Sequence, residues 1–233
     1  MDKEMQGLWD KGTFSDDDAP PGRKPIKTQF VYKIKRAADG AVERCKARLV
    51  AKGFTQREGI DFFKTFSPVI GFDVMRTVLA TAAHKAWDIS LLDFTQAYLN
   101  APLQKDIWLE LPDSRIVKAR KAIYGLKQSA LEWYKELRRA ILQAGWSSSR
   151  YDECLYYRRS EDGRIATMLT YVDDCLFNGD YLEEIELMRT HLLSMYEGRD
   201  LGTPDQLLGV SIGVDETGTT LHQQHYAQRI VID

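Results

Sequence analysis

Cysteine is scarce. The chain has three, Cys45, Cys154 and Cys175. An odd number without Cys-x-x-Cys spacing argues against a disulfide framework and against a cysteine zinc site, and fits a reducing compartment. Long apolar runs are missing too. No stretch approaches the roughly 18 residues of a membrane-spanning helix, and the opening Met1–Gly7 has no apolar leader core. Internal repeats and low-complexity tracts are absent. A large net charge is also absent, at −2, but that small number hides an uneven distribution.

From Pro21 to Ile60 there are eleven bases against three acids, and from Lys118 to Arg139 seven bases against Glu132 and Glu136. The acids gather elsewhere, notably from Asp180 to Asp200. Each basic segment alone reads as a solvated face. Two of them on a near-neutral chain suit a polyanion, either nucleic acid or nucleotide phosphates. With 44% hydrophobic and 28% charged residues in 233, the composition is that of an ordinary globular protein, long enough for one large domain or two small lobes.

The chain is organised around Thr170–Phe177. Asp173 and Asp174 stand between two apolar, strand-forming runs, Ile165–Tyr171 and Cys175–Phe177. An interior strand would not carry two adjacent acids, because burying an unpaired charge costs roughly several kcal/mol. A tight hairpin with the acids at its tip resolves the conflict. The plain alternative is a solvated turn, since Asp favours turns. A second acid raises the chemical reading. Asp93 ends the apolar run Ile89–Leu92, a position poor for stability and good for chemistry. Hard carboxylate oxygens of this kind suit magnesium.

The remaining pattern predicts a basic hairpin, with strands at 30–34 and 42–50 and a turn at Ala38-Asp39-Gly40. Lys46 and Arg48 alternate and so share one face. Residues 53–68 read as a loop with aromatic anchors Phe54, Phe62, Phe63 and Phe66. Helices are expected at 72–87, 129–145, 181–196 and 224–232. Ser129 is the expected N-cap of the second, with Glu132 completing a capping box. Strands are expected at 107–111, 154–157, 165–171 and 174–178, with a final hairpin over 207–222 around Asp215–Gly218. The order implies an α+β layer in which Asp93 and the 173–174 tip lie on neighbouring central strands of an antiparallel sheet backed by helices.

Several motifs then align with a known family. They are Lys46-Ala-Arg-Leu-Val-Ala-Lys-Gly53, Phe66-Ser-Pro-Val69, Leu92-Asp93 with Ala97-Tyr-Leu-Asn100, and Leu111-Pro112. They continue with Tyr124-Gly-Leu-Lys-Gln128 and Trp133-Tyr134, Tyr171-Val-Asp-Asp174, and Leu201-Gly202 with Leu208-Gly209. In order and spacing the chain resembles the reverse transcriptase domain of copia-type LTR retrotransposons, over nearly all of residues 5–231. The resemblance implies a right-hand polymerase fold with fingers (about 20–85 and 105–130) and palm (86–104 and 131–233), the thumb largely absent. It implies Asp93, Asp173 and Asp174 as catalytic residues and metal ligands, with Phe94 offering its backbone carbonyl to the metal. Magnesium is the implied ion, with manganese a substitute.

The same resemblance assigns Lys46 and Arg48 to the incoming triphosphate and Tyr98 to a steric gate against the 2′-hydroxyl, although a core aromatic is the plain alternative for Tyr98. Tyr124, Gly125, Lys127 and Gln128 would line the nucleotide pocket. Arg199 is a candidate proton donor to pyrophosphate. The implied partners are a template-primer duplex of RNA or DNA, deoxynucleoside triphosphates, and the integrase and RNase H segments of a parent polyprotein. The implied location is a cytoplasmic virus-like particle or the nucleus. A different class stays open beside the polymerase: an inactive retroelement relic or a domesticated nucleic-acid-binding module.

Overall fold

The structure is a computed structural model that describes residues 1–36, 42–215 and 218–232. The expected turn at Ala38-Asp39-Gly40 and the Glu216-Thr217 centre of the last turn lie outside them. Along the chain run α1 (Asp2–Asp10), β1 (Phe14–Ser15), β2 (Ile26–Arg36), β3 (Val42–Ala51), α2 (Phe72–His84), β4 (Ile89–Phe94), β5 (Pro102–Glu110), β6 (Ile116–Lys121) and α3 (Ser129–Gln143). They are followed by β7 (Ser147–Ser148), β8 (Leu155–Arg159), β9 (Ile165–Tyr171), β10 (Asp174–Gly179), α4 (Leu182–Met195), β11 (Gly198–Gly202), β12 (Gln206–Leu207), β13 (Val210–Asp215), β14 (Gly218–His222) and α5 (Gln224–Ile232). Short 3-10 turns occupy Gly53–Thr55 and Ala97–Asn100. The chain is therefore α+β, with mostly antiparallel sheets. Two compact units divide it: Met1–Ser67 with Gln96–Arg138, and Pro68–Thr95 with Arg139–Asp233.

The first unit is built on a sheet of order β1-β6-β5-β2-β3. Its core joins Leu8, Phe14, Ile26, Leu49, Ile107, Leu109, Val117 and Ile123. Only Ile26 and Lys27 of β2 pair with β5, in parallel. Beyond them β2 and β3 continue as a two-stranded ribbon with a ladder from Thr28–Ala51 out to Arg36–Val42. Exposed Val31, Tyr32 and Ile34 mark that stretch.

The second unit holds a six-stranded antiparallel sheet of order β11-β4-β10-β9-β8-β7. β10 is central and buried from Cys175 to Gly179. The helix α4 turns Ile185, Met188 and Leu192 inward at helical spacing and packs on β9 and β10. Its buried Glu184 accepts a hydrogen bond from Trp146 Nε1 at 2.8 Å and pairs with Arg158 at 3.4 Å, which offsets the cost of burying its charge.

Three expectations are corrected. Strands β6 and β11 were not anticipated. Ser129 does not cap α3; it is the first helical residue, and its hydroxyl donates to Ile123 O at 2.5 Å. Of the four aromatic anchors of the 53–68 loop, only Phe62 is buried, while Phe54, Phe63 and Phe66 are exposed.

Candidate active site

In the second unit the hairpin between β9 and β10 is as tight as a hairpin can be. Tyr171 and Asp174 are partners across a two-residue loop, Val172-Asp173. Asp173 thus sits in the loop, whereas Asp174 is the first residue of β10. Val172 has φ +51, in the left-handed region. For a β-branched side chain that conformation costs on the order of 1–3 kcal/mol. The neighbouring strand buttresses the loop, because Phe94 N donates to Asp173 O at 2.8 Å. Phe94 itself is buried, with its ring edge-on to Tyr196.

Strand pairing then aligns the charges. Asp93 on β4 stands opposite Asp174 on β10 and, on its other side, opposite Arg199 on β11. Directly opposed residues share one face of a sheet, so Arg199, Asp93, Asp174 and Tyr171 form a row across four strands. Like charges placed opposite each other repel. Burial first, then the charges of Asp93 and Asp173, push the Asp174 carboxyl up to about 6. Arg199 gives Asp93 a cationic partner at 3.4 Å. That pair is solvent-exposed on the arginine side and contributes about 0–1 kcal/mol. Next to Asp174, burial pushes the Cys175 thiol up, which makes it an inert packing residue.

The donors in this row are hard oxygens, which suit magnesium or manganese. Among the described residues no three His, Cys, Asp or Glu side chains converge closely enough to hold an ion by themselves. That arrangement fits an ion held by one or two carboxylates and completed by water and phosphate oxygens, the usual manner of magnesium at nucleotide sites. Crowded carboxylates whose mutual repulsion an added cation would relieve are what such a site requires.

The other candidate residues lie in the first unit, and there two sequence motifs interlock. Ala51 N donates to Tyr124 O at 2.8 Å. A Cβ on Gly125, which has φ +90, would lie 2.1 Å from Ala51 O, and one on Gly53 would lie 2.0 Å from Gly125 O. Both glycines are there because the backbones touch. On this clamp the Arg48 guanidinium lies 4.8 Å over the Tyr124 ring and Tyr98 packs against Tyr124 at 4.8 Å. Lys46 shares the Arg48 face of β3, opposite Lys33.

Lys127 is exposed, its ammonium 4.7 Å over Phe62. Gln128 is buried, and its amide is taken up locally: it accepts from Gln56 Nε2 at 2.9 Å and donates to Asp61 O at 3.0 Å. Gln56 Oε1 in turn accepts from Lys127 N at 2.8 Å. Sequence reasoning missed Gln56. It is a buried brace that joins the loop after Gly53 to the Lys127-Gln128 turn. Its only signal was its place just after the Lys46–Gly53 motif.

The reverse transcriptase (RNA-dependent DNA polymerase) family pattern matches residues 12–233. The chain is 33% identical over 241 aligned residues to the retrovirus-related Pol polyprotein from transposon TNT 1-94 of Nicotiana tabacum, covering 99% of this chain and 18% of that protein. It is 39% identical over 170 residues to the Pol polyprotein from transposon RE2 of Arabidopsis thaliana, covering 69% of this chain and 12% of that protein. Its identity to the transposon Ty1-H Gag-Pol polyprotein of Saccharomyces cerevisiae is 26% over 221 residues, or 89% of this chain and 12% of that protein. The chain thus spans less than a fifth of the length of these relatives. It belongs to the reverse transcriptase family, among the copia-type retrotransposon Pol polyproteins.

Proposed function

We propose that this chain is the RNA-directed DNA polymerase segment of a copia-type Pol polyprotein, adding deoxynucleotides to a primer on an RNA or DNA template. The observation that carries the reading is the pairing of Asp93 with Asp174 across β4 and β10, with Asp173 on the strained loop between β10 and β9. In this reading the six-stranded sheet is the palm, and the β2–β3 ribbon belongs to the fingers.

Asp93, Asp173 and Asp174 would hold two divalent ions, with the Phe94 carbonyl as a further oxygen donor. When bound, the ions supply Lewis acidity at the primer 3′-hydroxyl and at the leaving pyrophosphate. The protein's own part is positioning and charge. Asp174, held near 6, must give up its proton before it can serve as a ligand, so metal affinity falls as pH drops through that value. Lys46 and Arg48 attract the triphosphate. Stacking on Tyr124 limits the arrangements open to the Arg48 fork and so lowers the entropy lost when it binds phosphate. Tyr98 stands as the gate against a 2′-hydroxyl. Gly125 and Lys127 shape and charge the pocket wall, and Gln128 holds that wall in place.

The test is primer extension on poly(rA)/oligo(dT), with and without magnesium, beside an Asp173→Asn variant. Extension that depends on both the ion and Asp173 is the expected result. Extension by the variant at the parental rate would overturn the assignment. Duplex binding with no extension by the parent would favour the nucleic-acid-binding module instead.

A further inference from the structure

The cation of the carboxylate row, Arg199, sits on β11, a strand whose own side chains do little to fix its register. Its sequence is Gly-Arg-Asp-Leu-Gly. It lies at the edge of the sheet and pairs on one side, with β4. Its apolar side chain, Leu201, is 49% exposed. Register is weakly specified in polar, glycine-rich strands. A slip of one residue would bring Asp200 opposite Asp93 in one direction and Gly198 in the other. The first adds a carboxylate to the row, and both take its cation away.

A contact from outside the ladder holds the strand. Asp200 points to the face opposite Arg199 and forms an ion pair there with Arg189 of α4. Glu186, one turn earlier on α4, engages the same guanidinium at 3.1 Å. Only 20% of the Arg189 side chain is exposed, so the pair is screened less than a surface pair. Asp200 also accepts from Gly202 N at 2.9 Å, where the ladder shifts and the strand ends. Because α4 packs on β9 and β10, Arg189 ties the edge strand to the strands that meet at Asp173 and Asp174.

We propose that Arg189 is a positioning residue: through Asp200 it locks the register of β11 and so holds Arg199 opposite Asp93. The lock itself needs no ligand. Its catalytic consequence rests on the polymerase reading, in which Arg199 is the candidate proton donor to pyrophosphate.

The test reads register and activity separately. In the full chain carrying Cys45→Ser, Asp93→Cys and Arg199→Cys, diamide joins positions 93 and 199 while they stand opposite each other, since opposed Cα atoms about 5.5 Å apart are within disulfide reach. Adding Arg189→Met is expected to slow the cross-link about fivefold, the worth of one partly sheltered ion pair. Asp200→Asn, which leaves α4 untouched, does the same, and Arg189→Lys stays near the parental rate. In primer extension Arg199→Met is expected to lower kcat about a hundredfold and Arg189→Met about tenfold, with the deoxynucleotide KM unchanged. The double variant is no slower than Arg199→Met alone, because one residue acts through the other. Losses that multiply in the double variant, or a cross-link that ignores Arg189→Met, overturn the proposal. A parent that never extends, with the cross-link slowed by Arg189→Met, defeats only the polymerase reading. A parent that extends, with the cross-link unchanged, defeats only the lock.

Discussion

The carboxylate row of the second unit and the glycine clamp of the first carry motifs of the same family, yet they are built in opposite ways. Around Tyr124 the backbones touch, the amides of Gln56 and Gln128 are taken up by each other and by the backbone of Asp61 and Lys127, and Arg48 is stacked. Around Asp174, like charges face each other across a strand pair, Val172 is left-handed, and a carboxyl is raised to about 6. The first is closed by its own contacts. The second keeps a carboxylate row under strain, which a proton on Asp174 relieves. Close packing and crowded charge are therefore kept apart in the chain, and substitutions in the two places are expected to have opposite signs.

The largest expected effect is at the clamp. Gly125→Ala places a methyl group 2.1 Å from Ala51 O at φ +90, and the loss is expected to be about 4 kcal/mol. Urea unfolding measures it, and a loss under about 1 kcal/mol would show that the two motifs are not locked together.

Next comes Asp174→Asn, with the opposite sign. The folded chain holds the Asp174 proton near 6 against an ordinary 3.8, more tightly than the unfolded chain does. That stabilisation is complete below the ordinary value and lost as pH rises through 6. Discounted for partial exposure, the loss is on the order of 1–2 kcal/mol. The variant lacks this slope, so in EDTA its advantage over the parent grows from pH 4 to pH 7. Thermal unfolding across that range reads the difference, and magnesium should shrink the advantage at pH 7. A parallel pair of pH profiles would mean that neither burial nor the neighbouring charges raise the Asp174 carboxyl.

The smallest effect is at Val172. Glycine there relieves the left-handed strain, offset by the freedom glycine adds to the unfolded chain, for a net gain of about 1 kcal/mol or less. A loss on Val172→Gly would show that the valine side chain contributes more by packing than its backbone costs.

Much of this contrast was legible in the sequence, and what was hidden has physical causes. The Asp173-Asp174 hairpin could be read because the apolar flanks Ile165–Tyr171 and Cys175–Phe177 leave two adjacent acids nowhere to go but a turn and a strand end. Asp93 could be read because it closes an apolar run. Strand β11, Gly198–Gly202, could not, because Gly-Arg-Asp-Leu-Gly has no β-branched residue and is a strand only through its pairing with β4. Its pairing is what brings Arg199 to Asp93. In β6 only Val117 and Ala119 face inward, too short an alternation to stand out among bases. Ser129 looked like a cap until Ile123 O claimed its hydroxyl. The aromatic loop looked like a set of anchors because sequence alone does not distinguish a ring that fills a core from one left at the surface.

The ribbon of β2 and β3 carries a mechanical consequence. Arg48 is held at its root by Tyr124, and the ladder runs on to Val42, about 20 Å farther at roughly 3.3 Å per residue. A lever fixed at one end moves least at the fulcrum and most at the tip. A small tilt at the root would leave Arg48 almost in place, shift Lys46 more, and sweep the far end over several ångströms. The two bases are two rungs apart on the same face, yet one is a bearing and the other rides on the arm.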